Sequence, residues 1–74
     1  MSAFTTGELA KACQVSVRTV QYYDQRGILR PSAFSQGGRR LYDGKDLQRL
    51  KLICFLRDLD FSIEQIRKIL DEDN

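Results

Sequence analysis

The sequence predicts a small, mainly α domain of four helices with a short β-hairpin between the second and the third. Three observations carry this. One helix-start signal, an apolar residue followed by a polar cap, recurs four times: Phe4-Thr5, Val15-Ser16, Tyr42-Asp43 and Phe61-Ser62. Gly27 stands where the second apolar-periodic stretch stops. A Gln36-Gly37-Gly38 turn separates two short segments that carry Phe34 and Leu41.

Each helix start has a physical reason. A polar N-cap side chain accepts a hydrogen bond from an orphan amide of the first turn, and the apolar residue before it packs on the fourth helical residue. For helix 1, Thr5 caps, Glu8 completes a capping box and Leu9 takes the staple from Phe4. For helix 2, Ser16 caps and Val20 is the staple partner. For helix 3, Asp43 caps and Leu47 is the partner. For helix 4, Ser62 caps, Gln65 sits in the box position and Ile66 takes the staple. Helix 1 must end near Cys13, because Ser16 starts the next. Helix 2 runs to Arg26, with Gly27 suited to a left-handed C-terminal cap. Helix 3 runs to about Asp58 and helix 4 to about Leu70. Pro31 pushes Arg30 into extended backbone, and the segment after it reads as a hairpin around the glycine turn.

Two helices joined by about three residues match a helix-turn-helix, whose second helix is the reader, and the hairpin after it is a wing. The expected architecture is a winged helix-turn-helix in a single domain, residues 1–74. The helix-turn-helix lies at about 6–26, the wing at about 33–42, and the last helices at about 44–58 and 63–70.

Composition narrows the function. Seventy-four residues make one domain, which buries roughly 60% of its unfolded surface and has no room for a large enclosed cavity. There is no His, so the commonest general base and metal ligand is missing. Cys13 and Cys54 alone do not supply a four-ligand zinc site. No nucleophile–base or carboxylate pair assembles from these positions, so an enzyme is the least favoured class, and no cofactor or metal is expected. The longest apolar run, Leu52 to Leu56, is too short to cross a bilayer. With two cysteines and no signal-peptide pattern, the cytoplasm is the expected compartment. The net charge of +2 hides an asymmetry. Residues 1–57 carry ten basic and four acidic groups, a net of +6, whereas residues 58–74 carry two basic and six acidic groups, a net of −4. A basic body points to a polyanionic partner, against the plainer reading of a solvated mixed-charge surface.

Helix 2 has two faces. At about 100° per residue, Val17, Val20, Tyr23 and Asp24 fall on one side, and Arg18, Gln21, Tyr22 and Gln25 on the other, with Arg26 and Thr19 beside them. The second set carries a cation, two amides and a phenol, the groups that reach base edges and phosphates in a major groove. Arg18 is otherwise a solvated surface arginine, and Tyr22 a half-buried aromatic. Tyr23 belongs more to the core. Asp24 is unfavourable beside phosphates unless paired, and Arg40 of the wing is the candidate partner. Arg39 and Arg40 follow Gly37-Gly38, where a glycine turn permits close backbone approach and paired arginines offer bidentate donors. Ser62 caps helix 4, with anion binding at that helix start as the lesser alternative.

These residues resemble the MerR family of bacterial transcription regulators. The matching blocks are Thr5-x-Gly7-Glu8-Leu9-Ala10, Val15-Ser16-Val17-Arg18-Thr19-x-x-Tyr22-Tyr23-Asp24, and Gly27-Ile28-Leu29-x-Pro31. Gly38-Arg39-Arg40-Leu41-Tyr42, Asp46-Leu47 and Phe61-Ser62-Ile63-x-x-Ile66 complete the series, covering nearly the whole chain. The resemblance implies base contacts from Val17, Arg18 and Gln21. It implies backbone contacts from Tyr22, Arg39, Arg40, Phe61 and Ser62. It further implies a homodimer on double-stranded promoter DNA, which it bends and untwists so that RNA polymerase engages both promoter elements. A basic residue is common in the family where Gln21 stands, and glycine is common at the positions of Gln14 and Asp60.

Family regulators continue into a dimerisation helix and an effector domain, so the chain reads as the DNA-binding module of a longer regulator, monomeric as this fragment and without its effector site. Helix 3 is apolar over most of its circumference, which calls either for a missing helix or partner subunit or for helices 1 and 4 to pack on it. Cys13 and Cys54 read as buried free thiols. Two alternatives stand beside the main reading. One is a free-standing, excisionase-like DNA-bending protein. The other is a protein-interaction module docking an acidic partner through Arg18, Arg39 and Arg40.

Overall fold

The computed structural model describes residues 3–71. The elements follow in the expected order: α1 (Thr6–Ala12), α2 (Val17–Gln25), β1 (Ala33–Phe34), β2 (Arg40–Leu41), α3 (Gly44–Asp58) and α4 (Ile63–Asp71). Cys13 and Arg26 serve as C-caps of α1 and α2 rather than as helical residues.

All four predicted N-caps form. Thr5 and Glu8 make the reciprocal box of α1. The Ser16 Oγ accepts from the Thr19 amide at 3.0 Å. Ser62 and Gln65 exchange bonds of 2.8 and 3.1 Å. The box of α3 pairs Asp43 with Asp46, and Asp46 Oδ2 also accepts from the Ser32 hydroxyl at 2.5 Å, fixing the loop before the wing to α3.

Three helices end in the same way. After α2, the Gly27 amide donates to the Asp24 carbonyl and the Ile28 amide to the Tyr23 carbonyl, a Schellman motif with Gly27 at φ 76°. After α1, Gln14 (φ 58°) and Val15 repeat both bonds. After α3, Asp60 (φ 69°) and Phe61 repeat them again. The α1–α2 and α3–α4 corners are therefore one design used twice. In each, a single apolar residue, Val15 or Phe61, closes one helix and precedes the cap of the next. Left-handed backbone costs a residue with a Cβ about 1–2 kcal/mol, a cost that Gln14 bears with less local compensation than Asp60.

The wing is a two-stranded antiparallel hairpin in the register Ala33↔Leu41 and Phe34↔Arg40. Gly38, at φ 83°, closes its turn on the Ser35 carbonyl. At the wing's base, Phe4 and Tyr42 exchange both backbone bonds, at 2.7 and 2.8 Å. The segment before α1 is thereby tied to the wing, a long-range pairing with no local sequence signal.

The core joins Leu9 and Ala10 of α1, Val20 and Tyr23 of α2, Ile28 and Leu29, Tyr42, and Leu50, Ile53 and Leu56 of α3 with Ile66 and Leu70 of α4. Truncating Leu50 or Ile53 to alanine costs about 2–5 kcal/mol. The apolar surplus of α3 divides in two. One row packs inward, while Leu52, Phe55 and Leu59, spaced at one helical face, stay exposed at 37%, 59% and 55%. The cysteines correct the expectation of buried thiols. Cys13 caps α1 and Cys54 flanks the packed row of α3, and both are free and only half-buried. Partial burial still raises both thiols above their ordinary value. Among the described residues, no helix is long and apolar enough to cross a membrane.

Candidate nucleic-acid interface

Val20 and Tyr23 anchor α2 in the core, which leaves Arg18, Gln21 and Tyr22 exposed on the opposite face. Val17 departs from the angular reading that grouped it with Val20. It is 42% exposed. At the first position of α2 it stands almost a turn ahead of Val20, the first core residue of that helix. The four side chains form one open surface. The Tyr22 ring lies 5.9 Å from that of Tyr23, tilted by 52°, so a buried aromatic braces an exposed one. Burial raises the Tyr23 hydroxyl above its ordinary value, while Arg57 opposes the shift.

Asp24 finds the partner its position requires. Arg40 Nε lies 2.6 Å from Asp24 Oδ2. The acid is 14% exposed and the arginine 46%, so the pair sits at the edge of the packed interior. One N–H of the guanidinium is engaged, which leaves four donors for an anion. Arg40 is thereby aimed by α2 rather than left as a free surface chain. Arg39 is exposed, and its backbone amide donates to the Ser35 hydroxyl oxygen at 3.1 Å.

The wing tip and the start of α1 flank an open cleft of about 410 Å³ lined by Thr5, Thr6, Gly7, Gly38, Arg39 and Arg40. Thr6 and Gly7 are additions that sequence reasoning missed. The only signal for them is the Phe4–Tyr42 pairing, which is visible once the chain is folded. Ser62 is exposed and its hydroxyl oxygen accepts one capping bond, with its O–H still free to donate. Phe61 packs partly against the core beside it. Among the described residues there is no group of three or more side chains suited to hold a metal ion.

The basic body is less free than its count implies. Arg49 donates to the Ile28 carbonyl at 2.5 Å and Arg57 to the Tyr23 hydroxyl at 3.1 Å. Arg26 pairs with Glu64. The structure thus separates arginines that hold the fold from Arg18 and Arg39, which point away from it.

A helix-turn-helix whose second helix keeps one polar face open, ion-paired to a hairpin wing, defines a winged helix-turn-helix domain. Comparison with known proteins agrees: residues 4–73 match the model of the MerR HTH family regulatory protein. The chain belongs to the MerR family. It is 43% identical over 67 residues to the HTH-type transcriptional regulator ZntR of Escherichia coli (strain K12), covering 90% of this chain and 48% of that protein. The solved N-terminus of MtaN, the Bacillus subtilis multidrug transporter activator, superposes with a TM-score of 0.89 at 37% identity, covering 92% of this chain and 64% of that one. HiNmlR, a MerR family regulator lacking the sensor domain and solved bound to promoter DNA, gives a TM-score of 0.87 at 28% identity, covering 95% of this chain and 53% of that one. The chain spans about half the length of ZntR.

Proposed function

We propose that this chain is the sequence-specific, double-stranded DNA-reading module of a bacterial transcription regulator. Val17, Arg18 and Gln21 read base edges in the major groove. Tyr22, Arg39, Arg40, Phe61 and Ser62 hold the backbone. The observation that carries this reading is the Asp24–Arg40 pair, which holds a wing cation against the helix that exposes Arg18 and Gln21. The likeness to a relative solved on promoter DNA supports the same reading. In the full-length regulator the module works in the cytoplasm as one half of a homodimer on promoter DNA. Its bending and untwisting of that DNA costs about 1–6 kcal/mol, and an effector acts by biasing which DNA state is favoured before RNA polymerase engages. Catalysis plays no part in this role.

Selection from a random duplex pool tests the proposal. Repeated rounds of binding by the 74-residue chain should enrich one common half-site, and Arg18→Ala should broaden the enriched sequence. A pool that stays random contradicts sequence-specific reading. Retention by acidic peptides in place of duplex would favour the protein-docking alternative.

A further inference from the structure

Three guanidinium groups from α3 and α4 contact residues in the last turn of α2 and just after it. Arg57 donates to the Tyr23 hydroxyl, Arg49 to the Ile28 carbonyl, and Arg67 to the Arg26 carbonyl. Tyr23, Arg26 and Ile28 are the last turn of the reading helix and its Schellman cap. Of the three, Arg67 meets the carbonyl of the C-cap itself, where a cation is favourable, whereas Arg49 meets a carbonyl just beyond it and Arg57 a side-chain hydroxyl.

The Arg26 side chain adds a second connection. Its Nη2 lies 2.6 Å from Glu64 Oε1. Glu64 and Arg67 stand three residues apart in α4, on one face. That face grips Arg26 twice, through its main chain and through its side chain. The residue that caps α4 is Ser62, two positions before Glu64. The latch therefore joins the element carrying Arg18 and Gln21 to the element that begins at Phe61 and Ser62.

We propose that the Glu64–Arg26–Arg67 latch is a positioning device that sets the spacing between the reading face of α2 and the start of α4, and so governs sequence discrimination rather than backbone attraction. It rests on the DNA reading above. Two contact points held at a fixed separation reward one local DNA geometry and penalise others, because deforming DNA costs sequence-dependent energy. Loosening the separation lets the protein accept more sequences while it keeps its phosphate contacts. Glu64 makes sense in this light. An isolated carboxylate at this edge would only repel phosphates, whereas as the anchor of Arg26 it fixes a distance.

The test exploits opposite charges. Glu64→Ala removes a negative group and Arg67→Ala a positive one. If the two acted on DNA by charge alone, the first would tighten binding to every duplex and the second would loosen it. The latch requires both to lower the ratio of preferred-site to random-duplex affinity, by up to about fivefold, with the log–log salt slope unchanged. Arg26→Lys, which retains an ion pair, should keep the ratio that Arg26→Ala loses. Thermal unfolding of each variant establishes that it is folded. Where Arg67→Ala is not, Glu64→Ala and the two Arg26 variants decide. Opposite-signed affinity changes at a constant ratio overturn the latch alone. Failure of the parent chain to bind any duplex at low salt overturns the DNA reading beneath it.

Discussion

Arg40 of the wing and Asp24 of the reading helix meet at 2.6 Å, across sixteen residues of sequence. On the proposed DNA reading, the pair explains how a carboxylate can sit on a helix that faces a polyanion. Its charge is neutralised by the cation it aims. It also ties wing and helix together, so that on that reading they approach DNA as one body.

Asp24→Asn tests that coupling. Simple electrostatics predicts tighter DNA binding when a negative charge is removed. Loss of the tether predicts the reverse, a weakening of up to about fivefold, the upper range for a partly exposed pair. Titration of a preferred duplex decides the sign, and tighter binding would contradict the tether.

Arg18 and Tyr22 should separate by specificity. Arg18→Ala costs about 1–3 kcal/mol at preferred sites and much less on random duplex if it reads a base. Tyr22→Phe should weaken all duplexes equally, because a hydroxyl on a phosphate carries no sequence information. Competition binding with both duplex types measures each ratio.

The left-handed residues offer a stability test. Gln14→Gly should raise the unfolding free energy by up to about 1 kcal/mol, and Asp60→Gly by less, since Asp tolerates that conformation. Thermal or urea unfolding provides the comparison. A loss on Gln14→Gly would show that its side chain makes a compensating contact.

Two buried tyrosines should respond unequally to loss of the hydroxyl. The Tyr23 hydroxyl accepts from Arg57, so Tyr23→Phe should cost about 1 kcal/mol or more. The Tyr42 hydroxyl is buried with no well-formed hydrogen bond, its neighbouring side-chain partner being Thr6, so Tyr42→Phe should cost less than Tyr23→Phe. Urea midpoints of the two variants are the readout.

Asp43 sets an acid limb. The Asp46 backbone amide holds its carboxyl below the ordinary value of 3.8. A folded value below the unfolded one stabilises the native state above the unfolded value, and that contribution is lost as pH falls through the folded value. Asp43→Asn keeps a good cap at neutral pH and should make the stability loss below about pH 4 shallower. An unchanged acid limb in unfolding curves would contradict the assignment.

What was legible in the sequence follows from distance along the chain. The four caps were legible because cap, box partner and staple lie within six residues of one another, as at Phe4, Thr5, Glu8 and Leu9. The Asp24–Arg40 pair was legible despite its separation, because an acid on a reading helix demands a cation and the wing supplies one. The duties of Arg49, Arg57 and Arg67 were not. Their partners lie 21, 34 and 41 residues away, and a charge count treats every arginine as surface. Thr6 and Gly7 escaped for the same reason, since their place beside the wing depends on the Phe4–Tyr42 pairing. Val17 misled the angular reading because periodicity assigns a face without showing where along it the core begins. The exposed row of Leu52, Phe55 and Leu59 was foreseen only as an excess of apolar residues on helix 3.

On the function proposed above, this domain binds DNA through the phosphates its wing and reading helix reach. The salt dependence of duplex binding tests it most directly. Each neutralised phosphate contributes about −0.9 to the slope of log affinity against log salt, so Arg39, which unlike Arg40 is not paired with an acid among the described residues, predicts about −1 or steeper. Arg39→Ala should remove about that much of the slope. A flat slope, or no binding at low salt, would contradict the account.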